Sequence, residues 1–163
     1  MKSTIANKLN SMKQILVFFS LALSLVSCAS CSKNVPSKSN NNNTTIAANK
    51  MKIKVGNSIF AGTLYDNATA TAFKALLPLT VNMVELNSNE KYVDLPRSLP
   101  ANASNPGTIQ NGDLMLYGSS TLVLFYKTFS TSYSYTKLGR INDTSELTAA
   151  LGSGDLTLTF AFH

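Results

Sequence analysis

The sequence contains very little of the side-chain chemistry that hydrolytic enzymes and metal sites need. Its one histidine is the last residue, His163, and its two cysteines are Cys28 and Cys31. A nucleophilic serine or cysteine works with a histidine held beside it, and a tetrahedral metal site needs several nitrogen or sulfur ligands. A terminal histidine is expected to be solvated. We therefore predict no Ser-His-Asp site, no Cys-His site and no metal site.

Two further absences narrow the possible functions. The chain has neither a Gly-x-Gly-x-x-Gly nor a Walker sequence, so nothing indicates a nucleotide-phosphate site. Its eight acidic residues are scattered. Four of them occur in turn or helix-cap contexts, where aspartate is favoured for backbone reasons: Asp66, Asp113, Asp143 and Asp155. We predict no cofactor and no pair of catalytic carboxylates of the glycosidase kind.

The positive charge of the chain lies largely outside its C-terminal part. The formal net charge is +6, yet nine of the 14 basic residues and all eight acidic residues lie from Lys50 onward. That part therefore has a formal charge of only +1. Recognition of nucleic acid requires lysines and arginines clustered along one face. We predict that the protein does not bind nucleic acid.

The N-terminus does contain a recognisable export signal. A segment with three lysines precedes an apolar run from Ile15 to Val26, and small residues lead into Cys28. This order is typical of a bacterial lipoprotein signal, so we predict a signal peptide over residues 1–27 and lipidation of Cys28. A transmembrane helix needs about 20 apolar residues, and this run is shorter and interrupted by serines. The alternatives are cleavage without lipidation and an uncleaved anchor.

Residues 28–49 are predicted to form a disordered, flexible tether. They are rich in serine, asparagine and threonine, with four consecutive asparagines at Asn40–Asn43, and too poor in large apolar groups to bury a core. Once Cys28 is acylated, Cys31 is the one thiol of the mature chain, so an intramolecular disulfide is excluded. The alternative for the asparagine run is a recognition tag for export or sorting.

Residues 50–163 are predicted to form one mainly β domain. Three pairs of strand-like segments flank turn residues and predict hairpins: the alternating Met51–Val55 with Ser58–Leu64, Thr80–Leu86 with Lys91–Leu95, and Asp113–Tyr117 with Thr121–Lys127. In Asp155–Phe162 the residues Leu156, Leu158, Phe160 and Phe162 fall on one side, which predicts a strand lining the core.

Two short helices interrupt this pattern. One begins at Asp66-Asn67 and ends before Pro78, and the other begins with a capping-box-like Asp143-Thr-Ser-Glu and ends at Gly152. Many short strands with two small helices predict a closed or nearly closed barrel with plugged ends. A β-sandwich is the alternative fold.

The chain resembles the small bacterial cyclophilin-like domain family over roughly residues 51–162. The resemblance is carried by the segments Leu64–Asn67, Asn105–Tyr117, Thr121–Thr128, Leu138–Ile141 and Leu151–Asp155. It implies a closed cyclophilin-like β-barrel of about eight strands with two helices closing the ends. It also implies that the domain occurs either alone in secreted or lipid-anchored bacterial proteins, as expected here, or beside a flavodoxin-like domain, and that its activity is generally unassigned.

The resemblance does not imply the isomerase activity of true cyclophilins, because function belongs to the site and not to the barrel. Catalytic cyclophilins place an arginine beside a Phe-Met-x-Gln stretch, with aromatics and a histidine around the proline pocket. This sequence has no such set: Arg97 lies in a proline-bounded loop, and Arg140 precedes Ile141-Asn142. We therefore assign no catalytic residue, and a divergent prolyl isomerase is kept as the alternative to a binding module.

The segment Phe125–Arg140 is the best candidate for a ligand-binding surface because tyrosines alternate there with hydroxyl and basic residues. Tyrosine offers an apolar face at little cost in side-chain entropy, and lysine or arginine can donate to a carbonyl or carboxylate. The predicted binding residues are Tyr117, Lys127, Thr128, Ser130, Tyr133, Tyr135 and Arg140. The alternative is that this segment is only a strand, a polar loop and a strand.

Together these features predict a monomeric lipoprotein that contacts the membrane through Cys28 and binds a peptide or small molecule. Ala29 and Ser30 follow the cysteine, and neither is the aspartate that retains lipoproteins at an inner membrane. We therefore predict the cell envelope as its location, and the periplasmic face of the outer membrane if the cell has two membranes. A purely structural lipoprotein is a third possibility.

Overall fold

The computed structural model describes residues 49–162. The predicted signal peptide, the lipidation site at Cys28 and nearly all of the predicted tether lie outside the described residues. The domain boundary predicted at Lys50 thus remains a prediction. The elements, in chain order, are β1 (Lys50–Val55), β2 (Ser58–Leu64), α1 (Ala68–Lys74), β3 (Leu79–Leu86), β4 (Glu90–Asp94), β5 (Thr108–Ile109), β6 (Asp113–Tyr117), β7 (Thr121–Phe125), β8 (Phe129–Ser130), β9 (Thr136–Ile141), α2 (Leu147–Leu151) and β10 (Leu156–Phe162).

Eight of these strands close into an antiparallel barrel. The order around the barrel is β1-β10-β3-β4-β7-β6-β9-β2, and β2 pairs back with β1. Every barrel strand therefore has a hydrogen-bonded neighbour on both sides, so the barrel itself has no free edge. The prediction of a closed eight-stranded barrel with two short helices is confirmed, and the sandwich alternative is wrong.

The barrel interior holds the main core, and strand alternation explains which side chains enter it. In β1, Met51, Ile53 and Val55 are buried while the lysines between them are exposed. In β10, Leu158 and Phe160 are fully buried, as predicted, but Phe162 at the end of the strand is half exposed. Because the core and the ring of strand pairs are complete within residues 49–162, this part contains everything that a barrel of this kind needs to fold alone.

The three predicted hairpins are present with small shifts at their ends. Gly56, with a φ of 56°, lies in the turn between β1 and β2. Asn87 and Ser88 adopt φ values of 55° and 56° in the turn between β3 and β4, a conformation that asparagine tolerates better than most residues. β7 ends at Phe125 rather than at Lys127, because the chain leaves the barrel wall there to form an outer layer.

The two helices differ in how they begin. The side chain of Asn67 accepts a hydrogen bond from the Ala70 N–H at 2.8 Å, which confirms the predicted start of α1. The predicted capping box of α2 is wrong. The Asp143 carboxylate accepts from the Ser145 N–H at 3.0 Å instead, so it closes a turn before the helix, and no side chain caps the N-terminus of α2. Neither helix of the described residues is long and apolar enough to span a membrane.

A second, smaller core lies outside the barrel wall and was not predicted. Its buried residues are Ile109, Met115, Val123, Phe125 and Tyr135. Met115, Val123 and Phe125 occupy the outer side of β6 and β7, and a two-stranded sheet of β5 and β8 covers them. Because both sides of these two wall strands are buried, they read as continuous apolar runs rather than alternating ones.

Candidate functional site

Four tyrosines from different parts of the chain line one cleft at the margin of this outer core. We call it the tyrosine cleft, and its volume is about 320 Å³. It is lined by Leu86, Asn87, Tyr92, Tyr117, Thr121, Val123, Tyr133 and Tyr135. This volume is at the lower end of the range of small-molecule sites, so the cleft has room for a side-chain-sized group.

The barrel register explains why these residues meet. Tyr92 of β4 pairs with Val123 in the middle of β7, and Thr121 at the start of β7 pairs with Tyr117 of β6. Their side chains leave the outer side of three adjacent strands. The floor of the cleft is therefore part of the rigid barrel wall. Residues on strands are positioned more precisely for a ligand than residues on a loop.

Three of the four cleft tyrosines and Phe125 of the outer core are packed against one another in a continuous series. The ring centroid of Tyr117 lies 6.3 Å from that of Tyr133 at an interplanar angle of 86°, and 5.6 Å from that of Tyr135 at 53°. Tyr135 in turn meets Phe125 edge to face at 5.4 Å and 90°. Such edge-to-face and tilted contacts are the favoured geometries of aromatic pairs. The series connects the solvent-facing rim to the outer core.

Exposure falls steeply along this series. Tyr133 is 62% exposed and Tyr117 48%, whereas Tyr135 is 7% exposed and Phe125 is fully buried. Burial, together with the nearby charge of Glu90, raises the pKa of Tyr135 above its ordinary value. Its hydroxyl thus remains protonated near neutral pH. Tyr133 and Tyr117 present their rings to solvent, while Tyr135 forms the base of the cleft.

The structure brings together three of the seven predicted binding residues, Tyr117, Tyr133 and Tyr135. The other four do not line the cleft. Lys127 and Ser130 are exposed in the β7–β9 connection, and Arg140 is exposed on β9. The Thr128 hydroxyl accepts from the Asn111 N–H at 3.1 Å and so holds a loop. The lysine or arginine donor expected for the ligand is therefore not part of the cleft.

Sequence reasoning missed five residues of the cleft: Leu86 at the end of β3, Asn87 of the following turn, Tyr92 of β4, and Thr121 and Val123 of β7. Strand alternation alone puts Tyr92 and Lys91 on opposite sides of β4, but it does not say which side faces outward. Lysine is normally expected outside. The structure reverses this expectation, since Lys91 is fully buried on the inner side and Tyr92 faces the cleft.

The buried lysine belongs to a polar cluster inside one end of the barrel. The ammonium of Lys91 contacts the Glu85 carboxylate and donates to the carbonyl oxygens of Gly152 and Gly154 at 3.1 and 2.6 Å. The Tyr126 hydroxyl donates to Glu85 at 2.8 Å. Burial raises the pKa of Glu85, but the hydrogen bonds from Lys91 and Tyr126 outweigh it and hold the pKa below its usual range. All three ammonium donors have acceptors, so the cluster is structural.

Two other clefts of similar volume are less suited to an apolar ligand. One, of about 340 Å³, lies beside the start of α1 and is lined mainly by polar residues such as Asn67, Asn102 and Ser104. The other, of about 350 Å³, lies between β2 and the Asp143–Glu146 turn. Residues 49–162 contain no group of three histidine, cysteine or acidic side chains placed to hold a metal ion. The tyrosine cleft is the candidate site because its lining is aromatic and apolar.

Comparison with known proteins places the chain in a family. No curated protein matches it. The solution structure of a hypothetical protein from Archaeoglobus fulgidus is similar at 15% sequence identity and a TM-score of 0.49, over 70% of this chain and 94% of that one. The sequence profile of the Cyclophilin-like family matches residues 53–161, which span nearly all of the barrel. The resemblance inferred from the sequence is thus confirmed, and the chain belongs to the Cyclophilin-like family.

Proposed function

We propose that the protein is a lipid-anchored envelope protein whose barrel domain binds an apolar group of a peptide or small molecule in the tyrosine cleft. The observation that carries this proposal is the exposed edge-to-face pair of Tyr117 and Tyr133 above the buried Tyr135. Tyr117 lies on the wall strand β6, and Tyr133 packs on it from the loop between β8 and β9. Tyrosine rings lose little side-chain entropy when they bind, so they are favoured contact groups.

The chemistry of the lining supports binding of a neutral, partly apolar ligand. The tyrosine faces and Val123 offer apolar contact, and tyrosine hydroxyls with the Asn87 amide can donate to a carbonyl oxygen. The cleft contains no lysine, arginine or histidine. A phosphate or carboxylate group would therefore lack a charged partner there.

Divergent prolyl isomerase activity is the alternative to a binding module. An isomerase needs a donor placed at the prolyl amide, and the arginine that serves in catalytic cyclophilins has no counterpart in the cleft. Arg97 and Arg140 are both exposed elsewhere. No observation on the described residues favours catalysis, and the binding module remains the proposal.

The proposal is tested by titrating a fragment of residues 39–163 with the peptide acetyl-Ala-Pro-Phe-amide, which offers a proline ring and a phenyl ring. We expect millimolar binding, about the affinity of one small group in a shallow cleft, with amide shifts at Tyr92 and Val123 in NMR spectra. Tyr117→Ala should weaken binding about tenfold because one wall of the cleft is lost.

The matched control is Tyr65→Ala, since Tyr65 is exposed but lies outside the cleft. It should leave the affinity unchanged. Equal affinity in all three proteins would contradict the proposal. Exchange between the cis and trans forms of the same peptide, measured in the same samples, addresses the alternative. A rate above background that disappears in Tyr117→Ala would establish an isomerase at this cleft.

If Cys28 is the lipid anchor, substitution of Cys28 should affect lipidation and membrane attachment, whereas substitution of Cys31 should not. Cys28→Ser should remove lipidation and leave the protein out of the membrane fraction, because the acyl chains supply most of the membrane attachment. Cys31→Ser should remain lipidated and membrane-bound. Mass spectrometry of the N-terminal peptide and membrane fractionation measure both outcomes. Lipidated, membrane-bound Cys28→Ser protein would disprove the assignment. In a cell with two membranes we propose the periplasmic face of the outer membrane.

A further inference from the structure

The near-neutral charge of the domain conceals a local cluster of cations on one side of the barrel. Lys50, Lys52 and Lys54 are exposed on the outer side of β1, where they alternate with buried apolar residues. Alternate residues of a strand are about 7 Å apart, so the three lysines form a straight row. Arg140 of β9 adds a fourth cation, because it pairs with Thr63, which pairs with Lys50.

The neighbouring strands leave these cations as the outermost groups. Lys52 lies between Ala61 of β2 and Ala161 of β10, and Lys54 lies between Ile59 and Thr159. These neighbours carry no charge. Within residues 49–162 the one ion pair joins Lys91 and Glu85, so no carboxylate of these residues lies within the 4.0 Å of a salt bridge from any of the four cations. We call the surface formed by Lys50, Lys52, Lys54, Ile59 and Arg140 the basic face.

Acidic side chains occur at the margins of this surface. Asp143 and Glu146 lie alongside β2 on the side away from β1, where they share a cleft with Ile59 and Ala61. Asp113 of β6 pairs with Arg140, and its carboxylate accepts from the Gln110 N–H at 2.9 Å. Among the described residues, the two strands that flank β1, namely β2 and β10, contain no acidic side chain.

An exposed aliphatic side chain accompanies the cations. Ile59 is 66% exposed and pairs with Lys54 on the outer side of the barrel. Lysine and arginine heads bind lipid phosphates, and an isoleucine among them can enter the boundary between headgroups and acyl chains. A surface of cations with one aliphatic residue thus complements an anionic bilayer better than it complements a purely polar partner.

The position of the basic face fits both the tether and the tyrosine cleft. The described chain begins at Asn49, directly before Lys50, so the predicted tether of residues 28–49 joins the domain at the end of the lysine row. β7, which lies at the floor of the tyrosine cleft, is four strands away from β1 in the eight-stranded ring. A domain resting on β1 would therefore turn its cleft away from the membrane.

We propose that the basic face docks on the anionic phospholipid headgroups of the membrane that holds the anchor. The orientation rests on the proposed lipidation of Cys28, while the attraction rests only on the charges of β1 and β9. The anchor raises the local concentration of the domain at the bilayer, so even a weak contact is populated. Docking fixes which way the tyrosine cleft points.

The experiment uses residues 39–163, which contain the complete barrel and lack both the predicted anchor and the two lysines of the predicted tether, Lys33 and Lys38. We expect this fragment to sediment with vesicles of phosphatidylglycerol and phosphatidylcholine at low ionic strength, and not with phosphatidylcholine alone. Added salt should release it. Lys50→Gln, Lys52→Gln and Lys54→Gln together should weaken binding about a hundredfold, from the typical contribution of each basic residue near an anionic surface.

The matched control is Arg97→Gln, Lys127→Gln and Lys137→Gln together, which removes the same charge from exposed positions outside the basic face. It should retain most of the binding, and thermal melting should show that both variants are folded. Equal loss in the two variants would overturn the proposal, as would no binding of the unaltered fragment, tighter binding to a DNA duplex, or self-association through β1.

A second measurement needs no substitution and so cannot be confused with misfolding. Vesicles that contain a paramagnetic lipid should broaden the amide signals of β1 and β2 in the unaltered fragment and leave those of β7 sharp. The reverse pattern, or uniform broadening, would contradict docking through β1. Because the fragment lacks Cys28, these results are independent of the lipidation test.

Discussion

Replacing Lys91 with methionine is expected to lower the free energy of unfolding by about 3 kcal/mol. The side chain is fully buried, and its ammonium satisfies the Glu85 carboxylate and two backbone carbonyls of the segment before β10. Methionine fills similar space but leaves the carboxylate without its cation and the carbonyls without a donor. Urea unfolding of the fragment measures the change.

Two further variants distinguish the stability provided by the Lys91–Glu85 cluster from the effect of removing any lysine. Lys52→Met removes an exposed lysine of β1 and should change stability by no more than about 0.5 kcal/mol. Glu85→Gln combined with Lys91→Met should cost less than the two single substitutions added together, since neither charge is then left unpaired. Additive losses would show that the pair does not act as a unit.

The effect of Lys91→Met should also depend on pH. The pKa of Glu85 is lowered in the folded state, so its stabilisation is present above its ordinary pKa of 4.5 and is lost as the pH falls through the folded value. Burial and the charge of Glu85 raise the pKa of Glu90. The stability contribution of Glu90 therefore changes with pH in the opposite direction to that of Glu85, and it does so in both proteins. The stability difference between the two proteins should be largest near neutral pH and shrink in acid. A difference that grows in acid would contradict this account.

Replacing Tyr135 with alanine is expected to destabilise the domain by about 3 kcal/mol, as for other large buried aromatics. The tyrosine is 7% exposed and packs edge to face on Phe125 in the outer core. Its loss leaves a cavity between the barrel wall and the segments that cover it. Tyr133→Ala, at a residue that is 62% exposed, should change stability by only about 0.5 kcal/mol.

The sequence assigned Tyr133 and Tyr135 to one ligand-binding surface, but the structure buries Tyr135 and leaves Tyr133 exposed. Both alanine substitutions should weaken binding of the probe peptide, but only Tyr135→Ala should lower the melting temperature strongly. Tyr135→Phe keeps the ring and should retain most of the stability, since it removes only the hydroxyl. Equal melting temperatures for Tyr133→Ala and Tyr135→Ala would show that the outer core contributes little.

The strands of the barrel were predictable because their periodicity is local. Alternating residues in β1 and in the centre of β10 identify the buried side, and turn residues such as Gly56 and Asn87 mark where hairpins reverse. The α2 start was not predictable in the same way. An Asp-x-x-Glu pattern is compatible with a helix cap and with a turn, and tertiary contacts decide between them.

Only part of the tyrosine cleft could be read from the sequence. Tyr117, Tyr133 and Tyr135 fall in or beside one aromatic segment, so composition alone indicated a surface. Tyr92 joins them because β4 pairs with β7, a partner about 30 residues away in sequence, and pairing at that range has no local signature. The basic residues near the tyrosines point elsewhere, since proximity in sequence does not place side chains on one side of a strand.

The sequence by itself determined the mainly β class, the hairpins, the family and the prediction of a lipid anchor, because each depends on short segments or on residue order. Tertiary structure decided where individual side chains lie, which the composition of the chain does not show. It buried Lys91 beside Glu85, built an outer core on β6 and β7, and gathered the cations of β1 on the side of the barrel away from the tyrosine cleft. The physical reason is closure of the barrel, which sets the neighbours of every strand and the direction of every side chain at once.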